Sequence, residues 1–120
     1  MVLIDANAII RILLSDNDEM EQEAKTFIRN NQVLIRNEIM AEIIYVLLKI
    51  YNIEKKEACR YILDLLKTKN VYTEDKEVMR LAINTFCDNN IDFVDSLLYA
   101  YHSINNFDVF TYDKKLKKML

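Results

Sequence analysis

Four acidic residues stand where their types and neighbours point to chemistry. Asp5 ends the apolar run in VLIDAN, and Asp113 follows the apolar run in DVFTYD. If both runs are parallel strands of one sheet, the two carboxylates stand on the same rim, where open α/β sheets place their reactions. Taken singly, either aspartate reads first as a helix N-cap, a position for which Asp is among the best residues. Glu42 lies inside the apolar stretch EIMAEIIYVLLKIY. It is either a buried acid that needs a partner or a metal, or one member of a narrow solvent stripe with Glu38, Tyr45 and Lys49. In IDFVDSLLYAYH, Asp92 and Asp95 are three apart, the spacing of a cap with an acid in the first helical turn. That turn also points Asp95 toward the sheet rim. Four carboxylates drawn to one pocket repel, and each raises its neighbours' pKa unless a cation sits among them. Oxygen donors without His or Cys suit Mg²⁺ or Mn²⁺, ions that activate water and stabilise phosphoryl oxygens in phosphodiester hydrolysis.

The elements that must position these acids follow from periodicity. VLI, QVLIRN, NVYT and DVFTY read as strands. Helical spacing runs through ANAIIRILLS, and a further helix through Phe27 and Ile28 opens on a capping box of Asp18 and Glu21. Other helices are expected over about 38–51, 54–66, 75–87 and IDFVDSLLYAYHSI, with DKKLKKML as a short last one. Short strands alternating with longer helices predict parallel βαβ units in a three-layer α/β domain. No repeat or composition break divides the 120 residues, so one domain over 1–120 is expected, burying about two-thirds of the surface its unfolded chain exposes.

Composition excludes several classes. With no Gly and no Pro there is no Gly-rich phosphate loop or dinucleotide fingerprint. Turns fall to Asn, Asp, Ser and Thr, chiefly the Asn pairs at 30–31, 89–90 and 105–106. Cys59 and Cys87 form no CxxC pair and are expected as buried free thiols of a reducing compartment. The start lacks a signal-peptide pattern, and no apolar run reaches membrane-spanning length, so a cytoplasmic protein without membrane association is expected. A net charge of −3 argues against a binder relying on a basic surface. An acidic pocket still accepts an anionic backbone when divalent ions lie between them, with Arg11, Arg36 and the lysines after Asp113 steering from the side.

The segments LIDANAIIRIL, MAEIIYVLLKIY, IDFVDSLLYAY and VFTYDKKLKK, in this order and spacing, resemble the PIN-domain ribonucleases, and at this length the VapC-type toxins of bacterial toxin–antitoxin pairs. The resemblance covers nearly the whole chain. It implies a three-layer α/β/α PIN-like domain with a short, mainly parallel central sheet. It makes Asp5, Glu42, Asp95 and Asp113 the catalytic quartet holding one or two Mg²⁺ or Mn²⁺ ions, with Asp5 and Asp95 the principal ligands. Asn7 and Thr111 match positions that orient those carboxylates by hydrogen bonding, and Asp92 stands beside them mainly as a cap. Arg11, Lys114 and Lys115 are candidates for contact with RNA.

The family further implies endoribonuclease activity, in which metal-activated water attacks an RNA phosphodiester in line and leaves a 5′-phosphate and a 3′-hydroxyl. Its usual partners are RNA, a cognate protein antitoxin that blocks the site, and a second copy in a homodimer. Two positions depart from the pattern. Many relatives run on into a further strand, and Ser96 stands where Ala is common after the third acid. Two other readings stay open. An aspartyl phosphotransferase would need a second acid where Asn7 stands, or a receiver's acidic pair and lysine. A catalytically inactive PIN-like module would bind RNA or a protein only. His102 is either a general base or a partly exposed structural histidine.

Overall fold

The computed structural model describes residues 1–14 and 19–120. Among these residues the chain is α/β, with three short strands, β1 (Val2–Leu3), β2 (Val33–Ile35) and β3 (Val71–Thr73). The helices are α1 (Ala6–Leu14), α2 (Glu19–Asn30), α3 (Asn37–Tyr45), α4 (Lys55–Leu66), α5 (Lys76–Asp88), α6 (Phe93–Asn105) and α7 (Lys114–Met119). The chain divides into two compact units, Met1–Glu74 and Asp75–Leu120.

All three strands belong to the first unit and pair in parallel in the order β1-β2-β3. The central strand's Val33 and Ile35, and Val71 beside them, are fully buried. Such apolar, β-branched strands need helices over them, because a parallel sheet is stable only when its faces are covered. In this unit α1 packs on α2 and α3, and α4 on β3, burying Ile9, Met40, Ile43, Leu47, Ile62 and Leu66. In the second unit α5 and α6 pack against each other, with Phe86 and Phe93 meeting edge to face at 6.1 Å and Leu116 of α7 fully buried.

The chain turns without glycine by placing asparagines in the left-handed region, Asn52, Asn70 and Asn106 at φ 53°, 73° and 59°. Asn106 was expected; Asn52 and Asn70 lie outside the Asn pairs. Asn31 and Asn89 instead use their side chains, which donate to the carbonyls of Phe27 and Thr85 at the ends of α2 and α5. Asn70 also donates to the carbonyls of Ile28 and Arg29, and its own carbonyl accepts the Val33 N–H. It ties the end of α2 to the start of two strands.

Four expectations need correction or qualification. DVFTY is not a strand, and Asp113 does not end one: residues 106–113 are irregular, with Phe110 and Tyr112 almost fully exposed, so the run gains little of the burial that favours an apolar strand in a parallel sheet. The helix expected over 38–51 is not one continuous α-helix. After Tyr45 it widens into a π-helical turn at Val46–Ile50, in which the Tyr51 N–H reaches the Val46 carbonyl, and Tyr45, Ile50 and Tyr51 stay exposed. The cap residue Asp18 lies outside the described residues. Its proposed partner Glu21 is fully buried, with the Lys25 ammonium 2.5 Å from its carboxylate. Of the two free thiols, Cys59 is buried and Cys87 only half-buried. Among the described residues no helix is long and apolar enough to cross a membrane.

The second unit opens on a side-chain cap. The Asp75 carboxylate accepts the Val78 N–H at 3.1 Å and the Asn105 side-chain amide at 3.3 Å, tying the start of α5 to the end of α6. Replacing a cap of this kind with alanine costs about 1 kcal/mol. Asp75→Ala is therefore expected to lower the urea midpoint with an unchanged m-value, and Asp75→Asn to retain most of the stability. Equal midpoints for wild type and the alanine variant would refute the role.

Candidate active site

Parallel pairing brings the carboxyl ends of all three strands to one rim of the first unit. Asp5 follows β1, Arg36 follows β2 and Glu74 follows β3. Asp5 is exposed, and one oxygen of its carboxylate accepts the Ala8 N–H at 3.0 Å. It therefore caps α1 and still presents a second oxygen outward. Asp5 lines an open cleft of about 900 Å³ together with Asn7, Arg11 and Phe27, a size suited to a nucleotide or larger ligand. Asn7 is exposed and makes no hydrogen bond to Asp5, so the steadying contact on this carboxylate comes from the backbone at Ala8.

Glu42 is exposed on α3. It lies on the stripe with Glu38, Tyr45 and Lys49, all likewise exposed, and bears no burial cost. Beside it runs a network that the sequence reading missed. The Arg36 Nε donates to Glu38 at 2.7 Å, and its Nη2 lies 3.6 Å from Glu74. The Glu74 carboxylate also accepts the Asn37 N–H at 3.1 Å. The hydrogen bond from Arg36 holds the Glu38 carboxyl below its ordinary pKa, and Glu38 raises the guanidinium in return. Only the strand order reveals this network, because Glu74 is far from Arg36 in sequence.

In the second unit Asp95 lies in the first turn of α6, half-buried. Its pKa is raised, first by burial, then by the negative charges of Asp113 and Asp92. Two further acids thus act on Asp95 through their charge. Asp92 occupies the N-cap position of α6 but makes no side-chain capping bond; its carbonyl receives the N–H and the hydroxyl of Ser96. That bond accommodates the fully buried Ser96 hydroxyl. Asp113 accepts the Leu116 N–H at 2.8 Å and caps α7, while its own N–H donates to the Thr111 hydroxyl at 3.0 Å. Thr111 so orients the backbone that carries the acid. Lys114 is exposed, and Lys115, also exposed, donates to the Asn90 carbonyl. The His102 Nδ1 lies 2.8 Å from the Phe107 carbonyl, which engages the ring in closing the end of α6.

Among the described residues no group of three or more His, Cys, Asp or Glu side chains is placed to hold a metal ion. The donor chemistry nevertheless fits a hard divalent cation. Every candidate ligand is a carboxylate, and Asp95, besides its burial, bears a repulsion from Asp113 and Asp92 that a cation would relieve.

Parallel strands that deliver acids to their carboxyl ends, followed by helices opening on further acids, define an acid-rimmed α/β protein. The particular family is shown by the sequence: it matches the PIN domain over residues 2–119, and the chain belongs to that family. PIN domains are generally nucleases that use divalent metals, and inactive members exist. No curated protein and no solved structure matches the chain.

The raised pKa of Asp95 has a consequence for stability. A carboxyl whose folded pKa lies above its unfolded value binds its proton more tightly when folded, so it costs stability once the pH rises past the folded value. In metal-free buffer at neutral pH, Asp95→Asn is expected to melt above wild type, and the gap should close on acidification below the unfolded carboxyl pKa. Thermal scans across that range check the sign; a lower melting temperature for Asp95→Asn at neutral pH contradicts it.

Proposed function

We propose that this chain is a Mg²⁺- or Mn²⁺-dependent endoribonuclease, the toxin of a type II toxin–antitoxin pair of the VapC kind, working as one PIN-like domain over 1–120. Family membership supplies the nuclease class. The observation that carries the metal assignment is the crowding of Asp113 and Asp92 on the half-buried Asp95. In this reading Asp5, Glu42, Asp95 and Asp113 are the catalytic and metal-holding acids, as the resemblance implies.

A bound divalent ion supplies Lewis acidity, lowering the pKa of water and neutralising charge on a phosphate. The chain's own residues supply the rest. Asp5 and Asp113 each keep one oxygen on a helix N-terminal N–H, which fixes the other for a ligand. Thr111 steadies Asp113 through its N–H, and Asn7 offers an amide to substrate in the cleft that Asp5 lines. Arg11, Lys114 and Lys115 contribute positive charge toward the RNA backbone. Hydrolysis adds water across the phosphodiester, the proton going to the departing 3′-oxygen. A cytoplasmic location, a homodimer, and a cognate antitoxin placing a basic residue among the acids complete the reading.

One observation favours a second reading. Asp5 and Asp113 both cap helices, so they have structural work even in a PIN domain that only binds RNA or protein. Cleavage of total cellular RNA separates the two. The enzyme should cut RNA with Mg²⁺ or Mn²⁺ and not with EDTA, and Asp5→Asn or Asp95→Asn should lose at least about a hundredfold in rate, the scale of losing an electrostatic catalytic contact. Cleavage without metal, or full activity in both variants, would sink the nuclease reading.

A further inference from the structure

Helix α3 begins on a residue that cannot cap it. The first N–H groups of a helix have no partner within it, and one is ordinarily met by a short, oxygen-bearing side chain at the N-cap. Here the N-cap is Arg36, whose guanidinium only donates and makes no capping bond. The missing acceptor comes from another strand. The Glu74 carboxylate, directly after β3, takes the Asn37 N–H on its Oε1 at 3.1 Å. The same oxygen lies 3.6 Å from the Arg36 Nη2, while the Arg36 Nε donates to Glu38 at 2.7 Å. One carboxylate thus holds both the first residue of α3 and the residue before it.

The apolar core leaves this task open. Met40, Ile43 and Leu47 are fully buried and set which face turns inward, but the attraction that buries them is non-directional. A hydrogen bond has a preferred distance and angle, so the bond from Glu74 fixes the end of the helix against the sheet. Glu42 lies in the second turn of α3 and is exposed. Its carboxylate therefore stands wherever the helix carries it. We propose that Glu74 is a positioning residue, which caps α3 from the end of β3 and so sets where Glu42 presents its carboxylate to a divalent cation. The resemblance assigns Glu74 no part in the site. The proposal rests on the nuclease reading for the role of Glu42 as a metal ligand, and not for the cap itself.

Two measurements on the full-length protein test it: Mn²⁺ titration followed by the electron paramagnetic resonance of the free ion, and hydrogen exchange at the Asn37 N–H followed by NMR. Glu74→Ala should weaken Mn²⁺ binding at least about tenfold, the lower end of what losing a hydrogen-bonding residue behind a metal ligand costs, and should speed exchange at Asn37. Glu74→Gln keeps an oxygen for the Asn37 N–H and gives up only the charge toward Arg36, so it should behave nearly as wild type in both measurements. Glu74→Asp keeps the charge but is one methylene shorter, which draws the oxygen off the N–H, and it should resemble the alanine variant. Where Glu74→Ala does not fold, the Gln and Asp variants carry the comparison.

Undiminished Mn²⁺ affinity in Glu74→Ala or Glu74→Asp would overturn the positioning role, even with a lowered melting temperature, by leaving Glu74 an ordinary stabilising cap. A Gln variant as weak as Ala would overturn it too, because the bond to Asn37 would then not be the contact that matters. The two readings fail separately. Metal-dependent cleavage by wild type with Mn²⁺ affinity indifferent to Glu74 removes only the positioning role. If wild type binds no Mn²⁺, the metal reading falls, and exchange at Asn37 decides the cap: faster in Ala and Asp but not in Gln supports it, and unchanged exchange overturns it.

Discussion

Parallel pairing on both sides of β2 is the constraint on which the first unit depends. With Val33 set against Val2 and Val71, the three strands must end on one side, and whatever follows each of them shares that rim. Asp5, Arg36 and Glu74 are neighbours for this reason alone. The same pairing demands covering helices, because Val33, Ile35 and Val71 have no access to water. It therefore explains both the apolar faces of the helices and the polar rim, where the chain leaves the sheet and the backbone needs capping. Asp5 serves both ends: its position comes from β1, and its orientation from the Ala8 N–H.

The second unit is governed by a different force. Asp92, Asp95 and Asp113 are held near enough that their charges press on Asp95, and the fold keeps them there by independent local devices. Asp113 is fixed by the first turn of α7 and by Thr111. Asp95 is placed by the first turn of α6, whose start is anchored through the bonds from Ser96 to the Asp92 carbonyl. Asp113 has structural work as the cap of α7, and the repulsion it places on Asp95 is the condition a divalent cation at the proposed site would remove on binding.

Much of the fold was legible in sequence. The helices were located by apolar spacing and caps, and three of the four expected strands by short β-branched runs. These signals are local, since a turn of helix or a buried strand leaves its period within a few residues. DVFTY shows where such a signal stops: its apolar run has the right length for a strand, yet whether it becomes one depends on a partner edge and on burial, neither of which is written in the run itself. Glu42 shows the same limit. Its neighbours are apolar, but it lies on the exposed stripe of α3, and a helix's orientation against its surroundings decides which of its residues meet water. The turns add a third case. The absence of glycine assigned them to asparagine, but which asparagines adopt the left-handed region was settled by where strands and helices had to join.

The amino-acid sequence by itself determined the class of fold, the family, and which acids open helices, because each of these is carried by residue type and short-range spacing. Tertiary structure alone decided how those acids are used. It pressed Asp113 on Asp95, tied Arg36 to Glu74 across two strand ends, and left Phe110 and Tyr112 in solvent beside a run of lysines. The physical reason is that charge coupling, burial and cross-strand ion pairs depend on distances between residues remote in sequence, and only the packed chain sets those distances.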